Sequence, residues 1–473
     1  MSTVPPAPGA QQAAAAARPR GPEPSADGGV LLLAQAWAAL GCEALGAGLA
    51  WQGRGGPLLL FALVALPVLA VGSVRAVAAR CAPGGDPLWR ALGWGGVLTQ
   101  RRLARFVTSG RHDWWAILGA MARLLGRHPA TAVGADGILA VDSTVVEKRH
   151  GPHLPGRRPV YDPVQRRLVD GYELVSACAV AGARSWALGL VPHRPPDAAA
   201  ARAALRRRRR ARPGEPPSKL DLALRLVEAA VWAGVPAGTV VGDGAFAAQW
   251  WLRAVAAVGR HWLVTTRRDR RLRIGAEIRG FGAWAAALPL ELLEPGTRGT
   301  GLWGGLLPRA TLLDRHCARR GLACRAAYLE RRDRRGRVLH RWYLVTSHLD
   351  WDLAAIWTHW QWRWSVEVLH RDAKQHLHLD AFHVRTWAGI TALVALTSLR
   401  ASLLAFVRAA DPACGARSTE ALVAALRTAA CLVETDAHGL TRVSPPPTLP
   451  TARWPRPAAP LPYGWPLPWT DAA

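Results

Sequence analysis

Trp360 to Lys374 reads WQWRWSVEVLHRDAK, a stretch that sets one acid among cations. At about 100° per residue, Trp360, Arg363, Glu367, Arg371 and Lys374 fall within roughly 40° of a common line along a helix. Trp362, Val366, Leu369, Ala373 and Leu377 make an apolar stripe on a neighbouring face. Such a helix buries one side and presents Glu367 between positive charges on the next. A carboxylate in that setting suits a metal ligand beside a phosphate backbone. The plainer reading is an Arg363–Glu367 surface pair, which stabilises a helix by about 0.3–0.5 kcal/mol. Lys374 weighs against it. Among 60 Lys plus Arg, lysine stands only at 148, 219 and 374. A lysine kept in so arginine-rich a chain points to a geometric need, because the two cations are not interchangeable at tight sites.

Two further acids have the placement to join Glu367. Asp142 lies inside ILAVDSTVV (138–146), a β-branched run that reads as a strand, and Asp243 ends the short run TVVG at 239–242. In a sheet where these strands are neighbours the aspartates meet, and a packed helix can bring Glu367 over them. Three converging carboxylates would hold two Mg²⁺ or Mn²⁺ ions, hard cations that take oxygen ligands. Two ions about 3.5–4 Å apart activate a water or a 3′-hydroxyl and stabilise the leaving oxygen of a phosphodiester. Each acid also has an ordinary reading: an Asp in VDST can cap a turn, and an Asp in GDG is a common turn signal.

The elements that must position these acids read in order along the chain. Residues 1–28, rich in Ala and Pro, read as a disordered tail. Residues 29–135 read as a helical N-terminal domain, a candidate for binding DNA ends. Its clearest helices, Thr99–Val107 and Trp114–Leu125, carry arginine beside an apolar face, which is also what a solvated basic face looks like. Residues 136–266 alternate strands and helices. Leu168–Val180 and Trp186–Val191 come after the first strand, and a loop at 194–217 holds RRRRR at 206–210. Lys219–Ala233 is a helix opened by Ser218 with Asp221 as a capping-box acid. Ala245–Val258 is a helix and His261–Thr266 a strand. Residues 267–348 are rich in glycine turns and arginine, with a hairpin at Ala327–Ser347 around Arg335-Gly336; they read as a β-rich insertion. Residues 349–410 return to helix, and 411–473 to a C-terminal helix and a Pro/Trp-rich tail.

A chain of 473 residues, half of them hydrophobic, can bury a sizeable core in two or three domains. Its formal charge of +27 points to a polyanionic partner, nucleic acid before anionic membrane. Seven scattered cysteines with no CxxC exclude a zinc ribbon or a dithiol redox motif and fit a reducing cytoplasm. Nothing at the N-terminus orders itself as a signal peptide. Gly55–Val74 is uncharged and long enough to span a bilayer, but Pro67 and abundant Ala and Gly favour a buried helical pair, so membrane association is not expected.

Here the chain resembles the bacterial insertion-sequence transposases of the DDE class, in the subgroup marked by a Tyr-x2-Arg-x3-Glu-x6-Lys signature. The resemblance spans residues 136–400. VDSTVVEKRHG is similar to the segment of the first aspartate, with Lys148 after Asp142, and VYDPVQRRLVDGYELVSACAV continues the likeness. GDGAF (242–246) resembles the second segment, with Phe246 in its aromatic position. Arg363, Glu367 and Lys374 match the third, and AKQHLHL resembles the family's sequence just beyond the glutamate helix. Two positions depart: Trp360 stands where the family has Tyr, which removes a hydroxyl for phosphate, and His378 stands where Gly is common.

The resemblance implies an α/β fold: a ribonuclease H-like mixed sheet with flanking helices, interrupted by the β-rich insertion. It implies Mg²⁺-dependent cleavage at element ends, Mn²⁺ able to substitute, then attack of the freed 3′-hydroxyl on target DNA. Asp142, Asp243 and Glu367 would be the metal ligands and catalytic acids; Trp360, Arg363, Arg371, Lys374 and Lys148 would face DNA. Expected partners are the terminal inverted repeats, target DNA and a second protomer in a synaptic dimer, with no small-molecule substrate, in a bacterial cytoplasm at the nucleoid. The alternatives are a catalytically retired DNA-binding descendant, or another ribonuclease H-like DNA nuclease.

Overall fold

Strand-forming β-branched residues start the central sheet. In the computed structural model, which describes residues 20–51, 55–69, 73–82, 85–91, 98–151, 153–194, 199, 203, 207, 209–296, 300–314, 321–380, 384–435 and 441–444, the run that holds Asp142 is a ten-residue strand. The N-terminal part comprises β1 (Arg20–Ser25), α1 (Gly29–Ala39), α2 (Gly55–Val68), α3 (Val74–Arg80), α4 (Pro87–Ala91), α5 (Gln100–Thr108) and α6 (Trp114–Arg127). The core continues with β2 (Ile138–Glu147), β3 (Arg158–Asp162), β4 (Arg167–Ala181), β5 (Arg184–His193), α7 (Lys219–Trp232), β6 (Thr239–Gly242), α8 (Gln249–Ala257) and β7 (His261–Thr265). Strands β8 (Arg271–Ile274), β9 (Glu277–Gly280), β10 (Glu291–Pro295), β11 (Gly301–Leu306), β12 (Ala310–Leu313), β13 (Gly321–Arg332) and β14 (Val338–Thr346), with helix α9 (Phe281–Ala286), fill the predicted insertion. The chain ends in α10 (Leu353–Trp362), α11 (Trp364–Gln375), α12 (Trp387–Ala410), α13 (Thr419–Thr428), β15 (Cys431–Thr435) and β16 (Thr441–Ser444).

The strand order β3–β4–β2–β6–β7 forms the heart of a thirteen-stranded mixed sheet. β2 and β4 run antiparallel, β2, β6 and β7 run parallel, and β5 extends the sheet along the second half of β4. This large mixed α/β sheet is consistent with the ribonuclease H-like expectation. The insertion does not form a separate sheet. β14 pairs with β7, Val345 opposite Val264, so β8 to β14 continue the central sheet beyond its parallel edge.

Apolar periodicity accounts for the packing. Buried residues of α1, α2, α5 and α6 share one hydrophobic cluster with α7, α12, α13 and one face of the sheet. The N-terminal helices therefore close over the central sheet rather than around a core of their own. Residues 55–68 of the uncharged segment form α2, with Leu59, Leu60, Ala62, Val64 and Ala65 at most 1% exposed. α12 is long and apolar enough to cross a membrane, but 78% of its most apolar stretch is buried inside the molecule. Part of the segment expected to be a disordered tail is a strand: β1 pairs with β15, Glu23 opposite Val433. Extended residues carrying two prolines looked unstructured because their partner lies some four hundred residues away. Residues 1–19 and 445–473 lie outside the described residues.

Candidate active site

The register of two parallel strands builds the site. Val141 on β2 is level with Gly242 on β6, so Asp142, still within β2, lies beside Asp243, the first residue past the end of β6. Gly242 is needed for the closeness: a Cβ there would sit 3.0 Å from Val141 and 3.1 Å from Phe246. Asp243 then caps a short 3₁₀ turn, its Oδ1 accepting from Ala245 N at 2.9 Å. The turn reading of GDG therefore holds, and the capping carboxyl is the one that lies beside Asp142. Burial and the Asp243 charge hold the Asp142 carboxyl up at about 6, against the pull of Arg363.

Glu367 arrives on α11, packed across β2 and β4. The sequence suggested one helix from Asp350 to about 378. The structure breaks it at Arg363, which ends α10 and precedes α11. From that joint Arg363 donates to Asp142 Oδ2 at 3.0 Å and to Glu367 Oε1. Its guanidinium lies 4.8 Å over the Trp360 ring. The cation therefore bridges two of the three acids. The donor set is all carboxylate oxygen, which suits a hard divalent ion, and such an ion would compete with Arg363 for the same oxygens. Among the described residues no three His, Cys, Asp or Glu side chains are gathered closely enough to hold a metal ion.

The other sequence-nominated residues spread around this centre. Trp360 is only 8% exposed and belongs to the core beneath α10. Arg371 is exposed and pairs with its neighbour Asp372 at 3.2 Å. Lys148 is buried and donates to the Asp380 carbonyl; burial pushes its ammonium down to about 8. Lys374 is also lowered by burial, with Asp162 and Asp380 pulling it back up. Lys219, the third lysine, holds Glu173 at 2.7 Å. Each lysine thus has a specific partner or charged neighbour. The described arginines of the 206–210 run are ion-paired: Arg207 and Arg209 meet Glu215, and Arg210 meets both Glu228 oxygens at 2.6 and 2.7 Å, with Arg209 and Arg210 exposed.

One pair escaped sequence reasoning. Ser176 is opposite Asp142 on β4, and its Oγ lies 2.6 Å from His370 Nε2 and 3.3 Å from the Asp142 carbonyl. The single hydroxyl proton goes to the carbonyl, so the oxygen accepts from the ring N–H. Burial pushes His370 down to about 3, with Lys374 and Arg363 adding to it, so the ring is neutral. This chain of bonds ties the Glu367 helix to the strand behind Asp142. The available signal was a histidine three residues after the glutamate, on the helix side that faces the sheet.

Residues 88–279 match the model of a family described as DDE superfamily endonuclease. The matched region takes in β2 to β9, with Asp142 and Asp243, and ends before the Glu367 helix. It covers less than half of the chain and supports a relationship of the DDE transposase type. A DDE endonuclease region implies nuclease chemistry with DNA as substrate. No curated protein matches the chain.

Proposed function

We propose that this chain is an insertion-sequence DDE transposase that cleaves the element ends and joins them to target DNA. The observation that carries this reading is the β2–β6 register, which sets Asp142 beside Asp243 while Arg363 ties Glu367 to Asp142. DDE endonuclease regions typically work with divalent metal. Here Asp142, Asp243 and Glu367 would hold Mg²⁺, or Mn²⁺ in its place, and the metal would supply Lewis acidity to the attacking and leaving oxygens. The chain's own residues prepare that site. β2 and β6 fix the two aspartates, the Ser176–His370 bond holds the Glu helix on the sheet, and burial keeps the Asp142 carboxylate short of solvent and in need of a cation. Arg363, once released from the acids, and Lys374 and Arg371 beside it would meet phosphates and orient the scissile strand.

By analogy with the subgroup signature, the protein would act as a synaptic dimer on paired ends, in the bacterial cytoplasm at the nucleoid. The test is cleavage of a plasmid carrying the gene's own flanks, with Mg²⁺ or Mn²⁺, comparing the wild type with Glu367→Gln. Metal-dependent breaks at the element ends, lost in the variant, support the reading. A second reading, a retired DNA-binding descendant, draws on the Arg363 bridge and on Trp360 in place of tyrosine. It predicts salt-sensitive DNA binding by both proteins and cleavage by neither, with Trp360→Tyr failing to restore it.

A further inference from the structure

α2 and the end of the Glu helix meet at two buried arginines. Pro67 lies in the last turn of α2 and has no N–H, so the Leu63 carbonyl four residues earlier has lost its helical donor. Arg400, on α12 and 4% exposed, supplies one: Nη2 reaches Leu63 O at 2.9 Å and Nε at 3.3 Å. Its remaining nitrogen donates to Leu377 O at 2.9 Å and to Thr397 Oγ1 at 3.3 Å. Leu377 lies two residues past the end of α11. Arg427 repeats the arrangement, from Nε to Val68 O at 2.9 Å and from Nη2 to His376 O at 3.3 Å. His378, at φ 59°, turns the chain at this junction and bonds the Pro67 backbone. The left-handed backbone explains why glycine is common at that position in the resembling family.

The described bonds of Arg400 go only to carbonyls and a hydroxyl. A buried cation without an acid partner is a costly feature, offset here by the negative ends of two helices that converge on it. α11 needs such an anchor. Its N-terminal end is joined to α10 through Arg363 and its middle is held by the Ser176–His370 bond, and Arg400 and Arg427 hold the chain just past its C-terminal end. A roll of about 20° would move a carboxylate about 6 Å from the helix axis by about 2 Å. Misplacement by about 1 Å can cost 10²-fold in rate.

We propose that Arg400, with Arg427, is a positioning residue that locks the C-terminal end of the Glu helix to α2 and thereby sets Glu367 opposite Asp142. This gives the apolar segment 55–68 a role as a buttress of the active site, and it rests on the transposase reading for the part of Glu367. Arg400→Met leaves both Leu63 and Leu377 carbonyls without their donor. Adding Pro67→Ala returns an N–H to Leu63 alone, so the double variant separates stability from positioning.

The experiment uses the full chain and three readouts: thermal midpoint, amide hydrogen exchange of residues 364–377, and Mn²⁺ binding followed by the spin resonance of the free ion. The double variant is expected to recover stability relative to Arg400→Met. Its 364–377 amides should still exchange at least 10-fold faster than wild type, with Mn²⁺ bound at least 10-fold more weakly. Glu367→Gln, the control, should lose Mn²⁺ binding with exchange unchanged. A folded double variant whose 364–377 exchange equals wild type overturns the proposal. Should it not fold, Arg427→Leu carries the same test with the same two outcomes. Absence of Mn²⁺ binding by wild type would sink the metal reading of the site, while exchange would still decide the lock.

Discussion

At the scale of single residues, the informative feature is how charges are matched. Glu173 lies within β4, 14% exposed. Burial alone would raise its carboxyl, but bonds from His193 and Lys219 hold it down at about 2. A carboxyl depressed from 4.5 to about 2 adds stability above its unfolded value, and that stability is lost as pH falls from about 4.5 towards 2. Glu173→Gln should therefore cost about 2–3 kcal/mol at pH 7 and almost nothing near pH 2, read from urea unfolding across that range. A flat difference between pH 7 and pH 2 would refute the assignment. Trp360 invites a second prediction. It is buried and stacked under Arg363, so Trp360→Ala should cost about 3–5 kcal/mol through the cavity it leaves, whereas Trp360→Tyr should cost much less. Equal losses in the two variants, by the same unfolding measurement, would show that the site tolerates the cavity.

Among elements, local signals and long-range partners contribute separately. Ser218 and Asp221 make the capping box that the sequence announced, Ser218 N donating to Asp221 Oδ2 at 2.7 Å. Ser218→Ala should lower stability by about 1 kcal/mol, and a thermal midpoint unchanged from wild type would count against the box. The β2–β6 pair is a stricter case. Gly242→Val would push its side chain into Val141 and Phe246 and part the strands that carry the two aspartates. Metal-dependent cleavage should fall by 10²-fold or more while DNA binding persists; cleavage at the wild-type rate would mean that the register is not what sets the acids. Periodicity and turn residues located β2, β4, β6, β7, α7 and the insertion hairpin to within a few residues. β3 was missed because five residues around a proline carry little pattern of their own; only pairing with β4 makes them a strand. The break at Arg363 was missed because helical spacing continues through it unchanged.

For the whole molecule, net charge is a poor map of where DNA would lie. Within the +27 balance the arginine run at 206–210 reads as a solvated loop with only an unspecific claim on phosphate, and its described members are tied to Glu215 and Glu228. Arg101 and Arg105 on α5 are exposed too. DNA affinity should fall with salt, with a slope of about 0.9 per phosphate contact. Arg209→Ala with Arg210→Ala should leave that slope unchanged, and Arg101→Ala with Arg105→Ala should reduce it by about 2; fluorescence anisotropy across a salt series would reveal the reverse if the loop is the footprint.

By itself the chain determined which residues could do chemistry and on what kinds of element they sit. Asp142 in a strand, Asp243 at a strand end and Glu367 on an amphipathic helix come from periodicity, which is local and therefore written in neighbouring residues. The sheet order that makes the aspartates neighbours was only a condition until β2 was seen beside β6. What tertiary structure alone decided are matters of partner choice across long sequence separations. Arg363 takes Asp142 as well as Glu367, β1 finds β15, and the bilayer-length segment folds as α2 under α12. An apolar helix is equally content against lipid or protein, and a guanidinium equally content with phosphate or carboxylate. In each case the choice falls to whichever partner the rest of the fold brings within reach.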